Sequence, residues 1–199
     1  MFALGKGFIH QMVKKDEYNI AILGLDDAGK TTFLERVKAI FNATPMVDPN
    51  RIWPTVGMNI GKIDHTKIRL NFWDVGGQSD LQVLWEKYIS ECHAIIFVVD
   101  GSNEERLAES EEAFRKVVAS ERVRELPLLI LLNKCEKQIS EGPELLRLRQ
   151  EFAESRNGEI STTEETAELA IMSISALQGS NVEKAVKWLA EAIKRQYNA

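Results

Sequence analysis

Residues 18–31, "YNIAILGLDDAGKT", decide how the fold is read. The apolar run from Tyr18 to Leu25 has the length of a buried strand, and "FLERVKAIF" after it has the spacing of a helix. Between them, Gly24 to Thr31 fits the pattern G-x-x-x-x-G-K-[ST]. A bare match is modest evidence, but strand before and helix after is the context that makes it a phosphate-binding loop. Gly24 and Gly29 let the backbone curl, so that the amides of Asp26, Asp27, Ala28 and Gly29 can point inward at phosphate oxygens. The helix start at Lys30, Thr31 and Thr32 adds partial positive charge. Lys30 can reach β- and γ-phosphates, and the Thr31 hydroxyl can ligate Mg²⁺.

Working outward, "VGMNIGKID" and "KIRLNFWDV" alternate like two strands of a hairpin turning at His65–Thr66. "DLQVLWEKYISE" has helical spacing, and "HAIIFVVD" is a continuous apolar strand buried on both faces. A helix over "EERLAESEEAFRKVVASE", a strand over "LPLLILLN" and a helix over "PELLRLRQEFAES" follow. "RNGEISTTEET" reads as a loop, "ELAIMSISA" as the last strand, and "NVEKAVKWLAEAIKRQ" as a helix capped by Ser180 or Asn181. Buried strands alternating with helices predict an α/β domain with a mostly parallel six-stranded sheet and helices on both faces. Residues 1–15 stand apart from that domain, which takes up 16–199. Phe2, Leu4, Phe8, Ile9, Met12 and Val13 fall on one half of a helical wheel, with Lys6, His10, Gln11 and Lys14 on the other. Glycines at 5 and 7 weaken this amphipathic helix, so it is expected to form when packed or bound.

The bulk properties narrow the class. The chain has 199 residues, with 25 basic against 30 acidic side chains and a net charge of −5. A nucleic-acid binder would carry a basic surplus, so none is expected as a partner. No apolar run reaches the ~18 residues of a membrane span, and the start lacks a secretory h-region. Cys92 and Cys135 lack metal-ligand spacing and read as reduced thiols of a cytoplasmic protein. His10, His65 and His93 form no metal or catalytic pattern. Trp85 and Trp188 read as packing residues.

Three further segments complete the chemistry. In "FWDVGGQ", Asp74 ends a strand on the ligand edge of a parallel sheet, where its carboxylate can hold Mg²⁺. Gly77 offers an amide with no side chain in the way of a terminal phosphate, and Gln78 can orient an attacking water. In "WPTVG", Thr55 is a second candidate hydroxyl ligand for the ion. In "PLLILLNKCEKQ", residues 127–138, an apolar strand ends by offering Asn133, Lys134 and Glu136 on the same sheet edge. A carboxylate at 136 accepts from two adjacent donors, and guanine presents N1–H beside its exocyclic amine. Adenine has no such pair and would leave the acid unpaired. Lys134 can lay its methylenes over the purine face. In "SAL", Ser175, Ala176 and Leu177, the Ala176 amide can reach the guanine carbonyl.

With these residues in hand, the chain resembles the Ras-like small GTPases, and more closely the ADP-ribosylation factor (Arf) family. "GLDDAGKTTFLE", "PTVGMNIG", "FWDVGGQSDLQVLWEKY" and "NKCE" follow the family's motifs in order, and the start "MFALGKG" looks most like the Arf-related subfamily associated with the Golgi. The resemblance implies a P-loop small-GTPase fold and a monomeric GTP/GDP switch with Mg²⁺, acting in the cytoplasm and reversibly on Golgi membranes. It implies a shift of the strands about Asn59 to Asp74 that expels the N-terminal helix onto a membrane surface, with a membrane receptor as a further partner. It also implies an exchange factor, a GTPase-activating protein and effectors that read Met58, Trp73, Tyr88 and the switch loops.

Several positions depart from the family pattern. Met58 stands where Phe is usual, Phe2 replaces the myristoylated glycine, and Glu136 replaces Asp. Glu136 extends the carboxylate by one methylene, which predicts preserved guanine preference with weaker binding. Asp26 beside the γ-phosphate, with no arginine evident in cis, predicts very slow intrinsic hydrolysis. Two other readings fit the same motifs: an ATP-using P-loop enzyme, and a nucleotide-locked module that recruits partners without cycling.

Overall fold

A computed structural model of the chain describes residues 15–137, 143–157 and 168–197. The N-terminal helix expected at 1–15 lies outside the described residues except for Lys15, and the loop expected at 156–166 does so except for Arg156 and Asn157, which continue the preceding helix. Six strands form one sheet in the order β2-β3-β1-β4-β5-β6. They are β1 (Asp16–Leu23), β2 (Met58–His65), β3 (Ile68–Val75), β4 (Ala94–Asp100), β5 (Leu128–Asn133) and β6 (Leu169–Ser173). Only the β2–β3 pair is antiparallel. Its turn falls at Thr66–Lys67, one residue later than the sequence suggests, with Thr66 at φ 55°.

Alternation along the buried strands sends side chains to two cores, one on each face. Ile20, Ile22, Leu70, Phe72, Ile96, Val98, Leu129 and Leu131 face α1 (Lys30–Asn42) and α6 (Val182–Tyr197). Ala21, Leu23, Val75, Ile95, Phe97, Val99, Ile130 and Leu132 face α2 (Trp85–Glu91), α3 (Leu107–Val118), α4 (Glu121–Arg124) and α5 (Pro143–Asn157). Phe97 is fully buried and packs edge-on against Phe114 at 5.1 Å and Trp85 at 6.4 Å. Such rings contribute roughly 1.5–3 kcal/mol each through burial.

Several elements differ from their sequence reading, among them the helix read over 104–121, which divides into a 3₁₀ turn at Glu104–Arg106, α3 and α4. The stretch read as one helix over 80–91 begins as a 3₁₀ segment, Ser79–Leu84, and becomes α-helical only at Trp85. Asn181 precedes α6 at φ 59°, and its side-chain amide donates to the Ser173 carbonyl. No helix among the described residues is long and apolar enough to cross a membrane.

The parallel strands β1, β3, β4, β5 and β6 all end on one edge. The loops after them therefore meet there, and that edge carries the site.

Candidate nucleotide-binding site

The phosphate loop runs from the end of β1 to the start of α1, as read. Gly29 lies at φ 91°, a backbone region that side chains strain to occupy, and a Cβ there would sit 2.3 Å from the Asn133 amide nitrogen. The Lys30 side chain folds back under the loop and donates to the carbonyls of Gly24 at 2.9 Å and Leu25 at 2.7 Å. Two of its three N–H groups are thus fixed, and the third is free to point at phosphate. Burial lowers its pKa to about 8, against the pull of Asp74 and Asp26. An incoming phosphate favours the ammonium form and reverses that shift.

Thr31, Thr55 and Asp74 come from three separate segments and converge. The Thr31 hydroxyl lies 3.0 Å from that of Thr55 and donates to Asp74 Oδ2 at 2.7 Å, and Thr55 donates to the same oxygen at 3.1 Å. Asp74 is fully buried, and its other carboxylate oxygen, Oδ1, has no hydrogen-bond partner. Burial raises its pKa despite the hydroxyls and Lys30. A buried, unpartnered carboxylate oxygen beside two hydroxyls is a hard oxygen set that fits Mg²⁺.

The loop after β3 closes over this cluster. A Cβ at Gly77 would fall 2.4 Å from the Gly24 carbonyl oxygen and 2.5 Å from the Asp26 amide nitrogen, so only glycine permits that approach. Two contacts hold the turn: Gly76 N–H donates to the Gly57 carbonyl at 2.9 Å, and the buried indole of Trp85 donates to the Gly76 carbonyl at 3.0 Å. Sequence reading gave Trp85 a packing role only; its polar edge also fixes the position of Gly77. A cavity of about 300 Å³ opens here, lined by Asp26, Asp27, Lys30, Thr31, Thr32, Thr55, Gly77 and Gln78. Trp53, 81 % exposed, stands at its wall, and Gln78 is exposed at its mouth.

The base side is assembled from longer-range contacts. Asn133 is buried at the end of β5; its Nδ2 donates to the Ala28 carbonyl at 2.8 Å, and its Oδ1 accepts from the Ala176 amide at 2.9 Å. The Ala176 N–H that the sequence assigns to a guanine carbonyl is therefore held by Asn133 instead. Ser175 is buried and caps its own turn through its hydroxyl, which accepts from Gln178 N–H at 3.0 Å, while Leu177 is exposed. Arg36 on α1 secures this loop, donating to the carbonyls of Ala176 at 3.0 Å and of Leu177. Lys134, at φ 66°, is drawn to Asp100 at 2.8 Å and Asp27 at 3.4 Å. Burial would raise the Asp100 pKa, but hydrogen bonds from Lys134 and Ser102 win and hold it low. Glu136 keeps one carboxylate oxygen, Oε2, buried and without a partner, on the edge where the two-donor face of guanine is expected.

An arginine reaches the phosphate loop in cis, where it binds the loop's own groups. Arg106, just before α3, donates to the Asp26 carboxylate at 2.8 Å and to the Asp26 carbonyl at 3.1 Å. Nothing local marks it, because its partner is 80 residues away. Along β2 and β3, Met58 and Ile60 pair with Val75 and Trp73 and so share their face, and Trp73 meets Tyr88 edge-on at 6.1 Å. Met58 and Ile60 are 36 % and 48 % exposed.

This geometry has close parallels among known proteins. The model of the ADP-ribosylation factor family matches residues 6–193. Human ADP-ribosylation factor-related protein 1 is 42 % identical over 196 residues, covering 98 % of this chain and 94 % of that protein. ADP-ribosylation factor-like protein 3 of Saccharomyces cerevisiae is 39 % identical, covering 98 % of this chain and 95 % of its own. The Arl6 BBS3 small GTPase of Trypanosoma brucei, solved with the nucleotide analogue GppNp, superposes with a TM-score of 0.72 at 26 % identity, covering 90 % of this chain and 99 % of that one.

Proposed function

Because this chain belongs to the ADP-ribosylation factor family, we propose that it regulates vesicle and protein transport at Golgi membranes as a GTP-hydrolysing switch with very slow intrinsic turnover. The family binds GTP and GDP with Mg²⁺ and hydrolyses GTP. The observation that carries the reading is the meeting of Thr31, Thr55 and Asp74 under a loop that presses Gly77 onto the phosphate loop. That arrangement ties two segments far apart in sequence to one ligand, so its loss on hydrolysis would release both.

Each residue has a physical part. Lys30 is pre-set by the loop carbonyls and offers its remaining N–H to the β- and γ-phosphates. Thr31, Thr55 and Asp74 would hold Mg²⁺, which when bound offsets the charge of the phosphate oxygens. The Gly77 amide faces the terminal phosphate. Glu136 accepts from the guanine edge, and Lys134 lines the purine side. Gln78 orients the attacking water, but its exposed position at the cavity mouth leaves it unrestrained. The reach of Arg106 is taken up by Asp26 and Glu109. Slow hydrolysis follows, with acceleration by an activating protein that fixes Gln78 or adds an arginine of its own.

Partners meet the face of Met58, Trp73 and Tyr88 together with the switch loops. The membrane surface is reached through the amphipathic pattern of residues 1–15, with a membrane receptor as a further contact. Two assays test the reading. Single-turnover phosphate release should be slower than ~10⁻² s⁻¹ alone and at least a thousandfold faster with a matching activator. Liposome flotation should retain the GTP-loaded chain and lose the GDP-loaded and N-terminally truncated forms. A fast unassisted rate, or flotation indifferent to nucleotide, would overturn it. Protein that binds GTP yet releases no phosphate with any activator would point to the non-cycling module.

A further inference from the structure

The phosphate loop carries two adjacent acids on the cavity wall, each drawn to a different partner. Asp27 leans toward the base side, 3.4 Å from Lys134, with its side chain 84 % exposed. Asp26 lies beside Gly77, the residue assigned above to the terminal phosphate, since its backbone nitrogen would be 2.5 Å from a Cβ there. Only Asp26 has an arginine. Arg106 grips it at two points, carboxylate at 2.8 Å and carbonyl at 3.1 Å, and is itself braced by Glu109 at 2.8 Å. A planar fork held at three points is pre-organised for that grip, and its fixed positive charge stays beside the Asp26 carboxylate.

We propose that Arg106 is a positioning residue that sets the preference between tri- and diphosphate, by keeping the Asp26 carboxylate in an ion pair and out of the field of the terminal phosphate. This deepens the nucleotide-binding reading above and rests on it. A bare carboxylate near the terminal phosphate repels the extra charge of GTP more than it repels GDP. At a few ångströms in a partly solvated site, that repulsion amounts to about tenfold in affinity.

The test measures GTP and GDP affinities with Mg²⁺ on the full chain carrying Arg106→Ala, Arg106→Lys, or Arg106→Ala with Asp26→Asn. Arg106→Ala should lose about tenfold in GTP affinity and no more than about threefold in GDP affinity. Adding Asp26→Asn should bring the GTP-to-GDP ratio back to within about twofold of the unaltered chain, a rescue that a merely structural arginine would not show. Arg106→Lys guards against misfolding of the alanine variant, and should keep the ratio to within about threefold because the charge remains. Equal losses for both nucleotides, a ratio that Asp26→Asn fails to restore, or a tenfold loss with lysine would each overturn the proposal. Absence of GTP binding by the unaltered chain would instead sink the nucleotide reading itself.

Discussion

The phosphate side and the base side of the site are built by different physics. On the phosphate side, one continuous stretch supplies backbone amides, a buried lysine and a helix start, and the distant turn at Gly77 presses against it. On the base side, Asn133, Lys134 and the 175–177 loop each come into place through side chains that reach across the fold. The first half is anchored on one main-chain loop, to which the fold adds the Thr55 and Asp74 side chains. The other is assembled by side chains, with Glu136 as the carboxylate proposed to read the base. The phosphate half should therefore govern whether nucleotide binds at all, and the base half which nucleotide.

The largest effect should come from Lys30→Ala. It removes a charge-assisted contact to two phosphates, so affinity for GTP and GDP should fall together by about 100- to 1000-fold in competition binding. A loss under tenfold would break the division between the halves. Next comes Glu136→Ala, which should cost GDP about 30- to 100-fold and lower the preference over ADP, because guanine's two donors lose their acceptor. Glu136→Asp should act in the opposite direction. By shortening the reach, it should tighten GDP about tenfold if the glutamate is strained against the base. An unchanged preference for guanine in Glu136→Ala would move the specificity elsewhere.

The smallest effect is a pH dependence confined to the phosphate half. The free protein holds Lys30 with a pKa of about 8, below its ordinary value. Binding phosphate restores the proton, so magnesium GDP should weaken about fourfold between pH 7 and 8.5, with proton uptake visible by calorimetry in two buffers. The free fold should move the other way. Its stability should rise with pH above about 8, because the unfolded chain still carries the proton that burial removes. The same sign for both would mean that Lys30 is not the group being read.

The two halves also differed in how far the sequence exposed them. Lys30, Thr31 and Gly29 were readable because they sit in one spaced pattern between a strand and a helix. Asp74 and Asn133 were readable because each ends an apolar strand, and parallel strand ends share an edge. Their convergence with Thr55 needed only that topology. The residues that fix the site in place left no such trace. Arg106 finds Asp26 from 80 residues away, and Arg36 finds Ala176 from 140. Periodicity cannot report a contact between two loops. Trp85 was half-read, since its burial follows from the pattern but the bond from its indole to Gly76 does not. The Ala176 amide went astray for the same reason: a free-looking donor at a strand end is claimed by a neighbour that only the fold supplies.

Asn133 has one more consequence. Its planar amide spans two loops, gripping the carbonyl at position 28 with one end and the amide at position 176 with the other. One buried side chain thus couples the two loops: displacing either alone would break one of these bonds and strand that end of the amide in the interior.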